Sequence, residues 1–374
     1  MSYLFVIDCL GSGGAQRQMV TLAINLKQRG YDIDFFVYYP QFEHFLPIIR
    51  NAGIKVHCVS KKGKNPLMVI ERLRELIASR KYRLILSFLD GPNLYTELAR
   101  IGYSDTKLIV SERFMYPSGK LPLTYRSTQI CHRLADFITV NSHHQRIRME
   151  HEFPWMKNQI TTIYNGVDLG IFYPRDKGLH HYQGNEIRFI TISSLQEKKN
   201  AVGLIEAMAH LRTNYGWCPY IDWAGQKVDS PSGIKHLEHL ESLLEKYDLH
   251  RYWTWLGERN DIHDILPTYD ALLHPSYFEG LPNAVCEGLA AGLPILASNT
   301  GDHDRLVTPG INGYLFDPED PENIADILLG FSKLSITERQ AMSIESRNYA
   351  EENLSVERFV EQYHSLFQSI LAES

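Results

Sequence analysis

Short apolar runs alternate along this chain with longer stretches whose apolar residues recur every three or four positions. The runs predict buried strands and the periodic stretches predict helices. Strands are expected over Tyr3–Cys9, Ile33–Tyr39, Lys55–Val59, Leu84–Phe88, Leu108–Ser111, Phe137–Asn141 and Ile160–Ile163. Helices are expected between them, over Ala15–Arg29, Phe42–Ala52, Pro66–Ser79, Asn93–Ile101, Leu121–Ala135 and His143–Glu150. Asn165-Gly-Val-Asp168 and Pro174–Asn185 form a polar stretch bearing Gly and Pro, and then the alternation restarts. Its strands are Ile187–Ser193, Tyr220–Ala224, Tyr252–Leu256, Ala271–His274, Ile295–Ser298 and Gly313–Phe316. Its helices are Ala201–Leu211, His236–Tyr247, Ile262–Tyr269 and Ala284–Ala291, with three more over Pro321–Leu334, Ile336–Glu352 and Ser355–Ala372. Strands that alternate with helices imply α/β domains, each a doubly wound parallel sheet covered on both faces. Ligands bind such sheets at the carboxyl ends of the strands.

The length of 374 residues suits two domains of ordinary size. An apolar content of 44% and a charged content of 22% are those of a soluble globular chain. No stretch approaches the roughly 18 unbroken apolar residues of a membrane helix. Tyr3-Leu-Phe-Val-Ile7 reaches Asp8 too soon for a signal-peptide core and reads as a first strand. Five scattered cysteines, without a CxxC pair, read as reduced thiols in a cytoplasmic protein. The 16 histidines form no metal-ligand cluster.

Charge divides the halves. Residues 1–174 hold 22 basic and 14 acidic residues, a balance of +8, whereas the remainder holds 16 and 30, a balance of -14. A basic first half suits anionic lipid or an anionic acceptor. Nucleic acid is disfavoured, because the cations come in ones and twos without interleaved aromatics.

The candidate chemistry sits after predicted strands. Glu279 lies in a loop marked by Gly and Pro, and Glu287 lies eight residues on. At 3.6 residues per turn that spacing returns a side chain near the same face. Two carboxylates at a sheet's carboxyl edge can accept hydrogen bonds from the vicinal hydroxyls of a sugar or a ribose. Lys198 and Lys199 stand at a helix start, where cations oppose the dipole unless an anion such as a diphosphate binds there. Arg259, after another strand, could flank a base, and the backbone of Ser298–Arg305 could contact a phosphate or a sugar. Gly11-Ser-Gly-Gly-Ala-Gln-Arg17 opens the first helix with glycines that let a ligand approach the backbone. It is not a dinucleotide fingerprint: position 16 is Gln16, and the second strand ends in Val37-Tyr-Tyr-Pro40 without an acidic residue.

Gly13-Gly-Ala-Gln-Arg17, Ile163-Tyr-Asn-Gly-Val-Asp168, Glu197-Lys-Lys-Asn200 and Phe278-Glu-Gly-Leu-Pro-Asn283 running to Glu287 together resemble the retaining GT-B glycosyltransferases of glycosyltransferase family 4. The resemblance covers nearly the whole chain. It implies a GT-B fold of two Rossmann-like domains facing a cleft, with the C-terminal helix returning to the first domain. The expected divisions are 1–170 for an acceptor-binding domain, 171–186 for a linker, 187–352 for a nucleotide-sugar domain and 353–374 for the returning helix. It implies sugar transfer from a nucleotide diphosphate donor, a UDP-sugar, to a glycan or lipid-linked acceptor in cell-surface polysaccharide synthesis. Transfer would be of a hexosyl or N-acetylhexosaminyl group with retention and without an obligatory metal, on the cytoplasmic face of the membrane.

By the same resemblance, Glu279 and Lys199 are catalytic. Glu279 bonds donor-sugar hydroxyls, and Lys199 neutralises the diphosphate. Gly280, Leu281 and Asn283 hold sugar and phosphate through their amides, and Glu287 takes the ribose. Gly13 and Gly14 approach the diphosphate from the first domain. Ser194 stands where the family carries a phosphate-binding arginine, so either Lys198, Arg305 or Arg17 compensates, or the enzyme works slowly, or its donor pose differs. Asp90 and Glu112, each after a first-domain strand, would orient the acceptor hydroxyl. The competing readings are a sugar-nucleotide epimerase of the same shape and a non-catalytic nucleotide-sugar-binding protein.

Overall fold

The computed structural model describes residues 2–61, 63, 65–114, 122–174, 186–226 and 230–372. The chain forms two compact units, Met1–Gly166 with Val356–Ser374, and Val167–Ser355. Most of the stretch expected to be the linker, residues 175–185, lies outside the described residues, as does Leu121.

The first unit is built on seven parallel strands: β1 (Ser2–Val6), β2 (Asp32–Val37), β3 (Lys55–Cys58), β4 (Leu84–Phe88), β5 (Lys107–Glu112), β6 (Phe137–Val140) and β7 (Ile160–Thr162). Their order is β3-β2-β1-β4-β5-β6-β7. Central strands are buried on both faces, which is why they read as unbroken apolar runs rather than alternating ones. Order reverses between β1 and β4, so the carboxyl edge opens there. The C-terminal helix Val356–Ala372 packs Phe359, Val360, Tyr363, Phe367 and Ile370 into this unit's core beside Tyr3 and Phe5. Each such side chain contributes about 1.5–3 kcal/mol by leaving water.

The second unit carries six parallel strands: β8 (Arg188–Ile192), β9 (Tyr220–Ala224), β10 (Trp253–Gly257), β11 (Ala271–His274), β12 (Ile295–Ser298) and β13 (Gly313–Phe316). The order is β10-β9-β8-β11-β12-β13, with its reversal between β8 and β11. The helix Asn283–Ala290 lies tight on this sheet. A Cβ on Gly288 would stand 2.9 Å from Leu272 Cδ1 and 3.1 Å from Ile295 Cδ1, so a larger residue there would have to push both side chains aside.

Three elements depart from the pattern-based expectation. The helix expected over Phe42–Ala52 is confined to Leu46–Asn51, because Pro47 belongs to a first turn and cannot sit mid-helix. The one expected over Ile262–Tyr269 breaks into Ile262–Ile265 and a 3-10 turn, Leu266–Thr268, at Pro267. The third departure concerns the two glutamates. The helix begins at Asn283, so Glu287 is helical and Glu279 lies in the loop before it. Helical periodicity therefore does not relate the pair; the loop's own path sets where Glu279 points.

Candidate functional site

Four loops leave the carboxyl edge of the second unit's sheet, following β8, β10, β11 and β12, and those after β8, β11 and β12 are joined to one another. The β8 loop turns through a 3-10 segment, Glu197–Lys199, and leaves it at Asn200, whose φ of 57° is left-handed. Asparagine tolerates that conformation because its short polar side chain bonds locally. Here Asn200 Oδ1 accepts from Gly203 N–H at 3.0 Å, capping the helix Ala201–Tyr215, and Nδ2 donates to Pro318 C=O at 2.7 Å. The turn thus aims Lys199 across the edge.

It meets the β11 loop. Lys199 Nζ donates to Glu279 Oε1, joining the two residues expected to be catalytic. Tyr277 N–H donates to Lys198 C=O at 2.9 Å, a second stitch between the loops. Lys198 Nζ lies 5.6 Å from the centre of the Phe278 ring, a cation–π contact that keeps its charge at the same edge. Glu279 is 16% exposed, as is Lys199, so the pair is sheltered yet reachable.

His274, the last residue of β11, adds a partner that pattern reading missed. Its Nε2 lies 3.1 Å from Glu279 Oε1 and 3.2 Å from Ser276 Oγ. Burial pushes the Glu279 carboxyl up, but the hydrogen bond and charge of His274 and the charge of Lys199 outweigh it. The carboxyl is held well below the usual range and stays ionised. Behind it, His303 stacks edge-on to His274 at 5.3 Å between ring centres and donates Nδ1–H to Ser298 C=O at 2.7 Å. Burial, then the neighbouring His274, pushes its pKa down to about 3, so this imidazole is neutral. The only sequence signal for His274 was a polar residue closing an otherwise apolar strand.

The β12 loop locks the arrangement. Gly301 has φ +57°, and a Cβ there would stand 2.2 Å from the Glu279 carbonyl oxygen. Ser298 Oγ donates to Ser276 C=O at 2.6 Å. Gly280, Leu281 and Asn283 follow Glu279 in the loop and at the helix start, with Leu281 buried. Glu287 is buried one turn into that helix, at 8% exposure. Ser194 is half-buried beside the start of the lysine turn. Arg259 is exposed after β10 and grips Asp261 through Nε, at 2.7 Å, and Nη2.

The remaining candidates belong to the first unit. Gly13 caps the helix Gly14–Gln28 as an exposed residue, and a Cβ there would strike Gln16 Oε1 at 2.2 Å. Gln16 in turn donates to Asp8 Oδ1 at 2.8 Å. Asp90 opens the helix Asp90–Arg100 after β4 and is half-buried. Glu112 ends β5 with its side chain fully buried on His132, Nε2 to Oε1 at 3.0 Å. Its side chain is thus enclosed by protein, whereas Asp90 is only half-buried.

Comparison with known proteins follows this division. Residues 12–170 match the family model described as Glycosyltransferase Family 4, and residues 176–349 match Glycosyl transferases group 1. The UDP-Gal:alpha-D-GlcNAc-diphosphoundecaprenol alpha-1,3-galactosyltransferase of Escherichia coli is 28% identical over 196 residues, 51% of this chain and 48% of that protein. The N-acetyl-alpha-D-glucosaminyl L-malate synthase of Bacillus anthracis is 24% identical over 243 residues, 64% of this chain and 61% of that protein. The chain thus matches less than two thirds of either relative's length. Among solved structures, a glycosyltransferase from Rickettsia africae ESF-5 aligns with a TM-score of 0.83 at 18% identity, covering 100% of this chain and 99% of that one. Anabaena Alr3699/HepE in complex with UDP aligns with a TM-score of 0.82 at 18% identity, covering 99% and 100%. At such identities these two show a shared fold.

Proposed function

The chain belongs to the glycosyltransferases whose halves are described by Glycosyltransferase Family 4 and Glycosyl transferases group 1, and on that premise we propose that it transfers a sugar from a UDP-sugar to a hydroxyl of a glycan or lipid-linked acceptor. The observation that carries this reading is the Lys199–Glu279 pair at the switch point of the second sheet. A cation and an ionised carboxylate side by side suit the two ends of a sugar diphosphate. On donor binding, Lys199 turns to the diphosphate and Glu279 accepts from the sugar hydroxyls. Glu287 takes the ribose hydroxyls, and the amides of Gly280, Leu281 and Asn283 hold sugar and phosphate. Ser194 contributes a hydroxyl where more charge is needed, Lys198 supplies that charge, and Arg259 stands at the rim.

As the anomeric bond to phosphate breaks, negative charge gathers on the leaving diphosphate. Lys199 and neighbouring N–H groups stabilise it in a sheltered site, an effect commonly worth about 10²–10³ in rate per donor. Such an arrangement needs no obligatory metal. The transferred group is a hexosyl or N-acetylhexosaminyl residue, delivered with retention, the departing phosphate taking the acceptor's proton. The relatives support the substrate class: one is named for UDP-Gal and a diphosphoundecaprenol acceptor, and a structural neighbour is seen with UDP-glucose. The acceptor belongs to the first unit, oriented through Asp90. Among the described residues no helix is long and apolar enough to cross a membrane. The excess of cations in residues 1–174 fits transient contact with an anionic cytoplasmic membrane face during cell-surface polysaccharide assembly.

Thermal-shift screening of UDP- and GDP-sugars, followed by acceptor-dependent release of nucleotide, tests the reading. A stabilising donor whose turnover requires an acceptor supports it. Turnover without acceptor, or wild-type turnover by Glu279→Gln, sinks it.

A further inference from the structure

Away from the donor edge, the first unit buries a chain of ionisable groups that no strand or helix packing requires. Glu97, Glu112 and His132 are each 0–1% exposed. His132 Nδ1 lies 2.5 Å from Glu97 Oε1, and Nε2 lies 3.0 Å from Glu112 Oε1. Asn93 Nδ2 donates to the same Glu112 oxygen at 3.1 Å and to Ser111 C=O at 3.0 Å. The second oxygen of Glu112, Oε2, is buried with no N–H or hydroxyl donor upon it. Asp90, half-buried at the carboxyl edge, shares a hydrogen bond with Glu112. Two carboxyl groups can share one only if one of them keeps a proton.

Backbone geometry shows that this placement is enforced. Leu89, just before Asp90, has φ 81° and ψ 151°, a region residues other than glycine seldom adopt. Leu89 N–H donates to Ser111 C=O at 3.1 Å and Asn93 N–H to Leu89 C=O at 2.9 Å, holding the bend. Strain of this kind concentrates where a side chain must be aimed.

We propose that Glu97, His132 and Glu112 form a buried relay that fixes Asp90 through the proton Asp90 donates to Glu112, leaving its second oxygen to accept from one hydroxyl of a carbohydrate acceptor. Asp90 touches the ligand; Glu97 and His132 are positioning residues that act through Glu112. The role for the ligand rests on the acceptor reading above, whereas the buried Glu97–His132–Glu112 chain rests on the geometry alone. Electrostatics agree. Burial opposes charge on His132, but hydrogen bonds to Glu112 and Glu97 push it up to about 10, so it is an imidazolium. Burial raises Glu112, but the bond and charge of His132 with the bonds of Asn93 and Asp90 together outweigh it and hold the carboxyl below its ordinary value. Burial, then the charge and hydrogen bond of Glu112, pushes Asp90 up to about 7. The other groups around Asp90 come from three neighbouring elements. Asp8 and Cys9 follow β1, and Asp8 is tied to Gln16. Tyr38 follows β2, its hydroxyl 3.0 Å from where a Cβ on Gly91 would stand. Arg113 follows β5 but is turned to Asn165 at 2.6 Å and Tyr363 at 2.8 Å.

The test is a pH titration by carbon NMR of protein labelled at the aspartate and glutamate carboxyl carbons. One aspartate signal titrates at about 7 in the wild type, is missing in Asp90→Asn, and moves to lower pH in Glu97→Gln, which removes one buried negative charge. Wild-type aspartates that all titrate in the ordinary carboxylate range, or a Glu97→Gln variant that leaves the signal in place, overturn the relay. Methyl glycosides of glucose, galactose and N-acetylglucosamine are then added singly. At least one shifts the Asp90 signal; indifference to all three overturns the role toward acceptor. UDP binding, followed by thermal shift, stays the same in all three proteins. A wild type that ignores UDP would count against the donor reading while leaving the titration result standing.

Discussion

Each unit sets a carboxylate beside a cation, at the sheet's switch-point edge in the second and buried behind the end of β5 in the first, and the two arrangements differ in what surrounds them. In the second unit Glu279 and Lys199 are each 16% exposed, and their bond crosses between two loops. In the first, Glu112 and His132 are within 1% of full burial, and every link of their chain lies inside the fold. A pair near water can exchange its partner for a ligand, because the charges it leaves behind are resolvated. A buried pair cannot, because breaking it strands a charge in low dielectric. On the proposed reading, the buried arrangement serves stability and aim, and the exposed one serves binding and turnover.

His132→Gln gives the largest expected effect. It leaves Glu97 and Glu112 without their cation and costs about 3–5 kcal/mol in denaturant unfolding. A loss below about 1 kcal/mol would erase the contrast. Lys199→Met is its counterpart. It lowers kcat/KM for the donor by about 10²–10³ and changes stability by less than about 1 kcal/mol. The reverse pattern, a large loss of stability with full activity, would make Lys199 a structural residue.

The neutral imidazole behind the donor edge predicts acid sensitivity. His303 is uncharged when folded and takes a proton when unfolded below its ordinary value of 6.5. Its contribution is present above that value and is lost as pH falls toward about 3. The slope reaches about 1.4 kcal/mol per pH unit, and His303→Asn flattens it in urea titrations across that window. Smallest is Arg259→Ala. The guanidinium is exposed and already committed to Asp261, so removing it changes turnover less than about threefold and leaves Tm in place. A tenfold loss would draw Arg259 into the donor site.

Much of this was legible in the residues. The unbroken runs Leu84–Phe88 and Ala271–His274 could only be two-faced buried strands, and their alternation with helices required parallel sheets. Phe359, Tyr363, Phe367 and Ile370 announced an amphipathic helix in need of a core. The glycines and prolines around Glu279 marked a loop at a strand's end, and placed it with Lys199 among candidates for one site. The eight-residue spacing did not relate Glu279 to Glu287, since helical periodicity stops where the helix begins, at Asn283.

Local order alone settled the elements, their class and the edge where chemistry would sit, because periodicity and turn residues act through neighbours in the chain. Pairing needed the folded molecule. Glu279 meets Lys199 across 80 positions, and Glu97 meets His132 across 35. No short-range rule reaches that far. Whether such a pair stands near water or wholly within the core depends on which loops and helices close over it. That closure leaves one carboxylate within reach of a ligand and seals the other inside the fold.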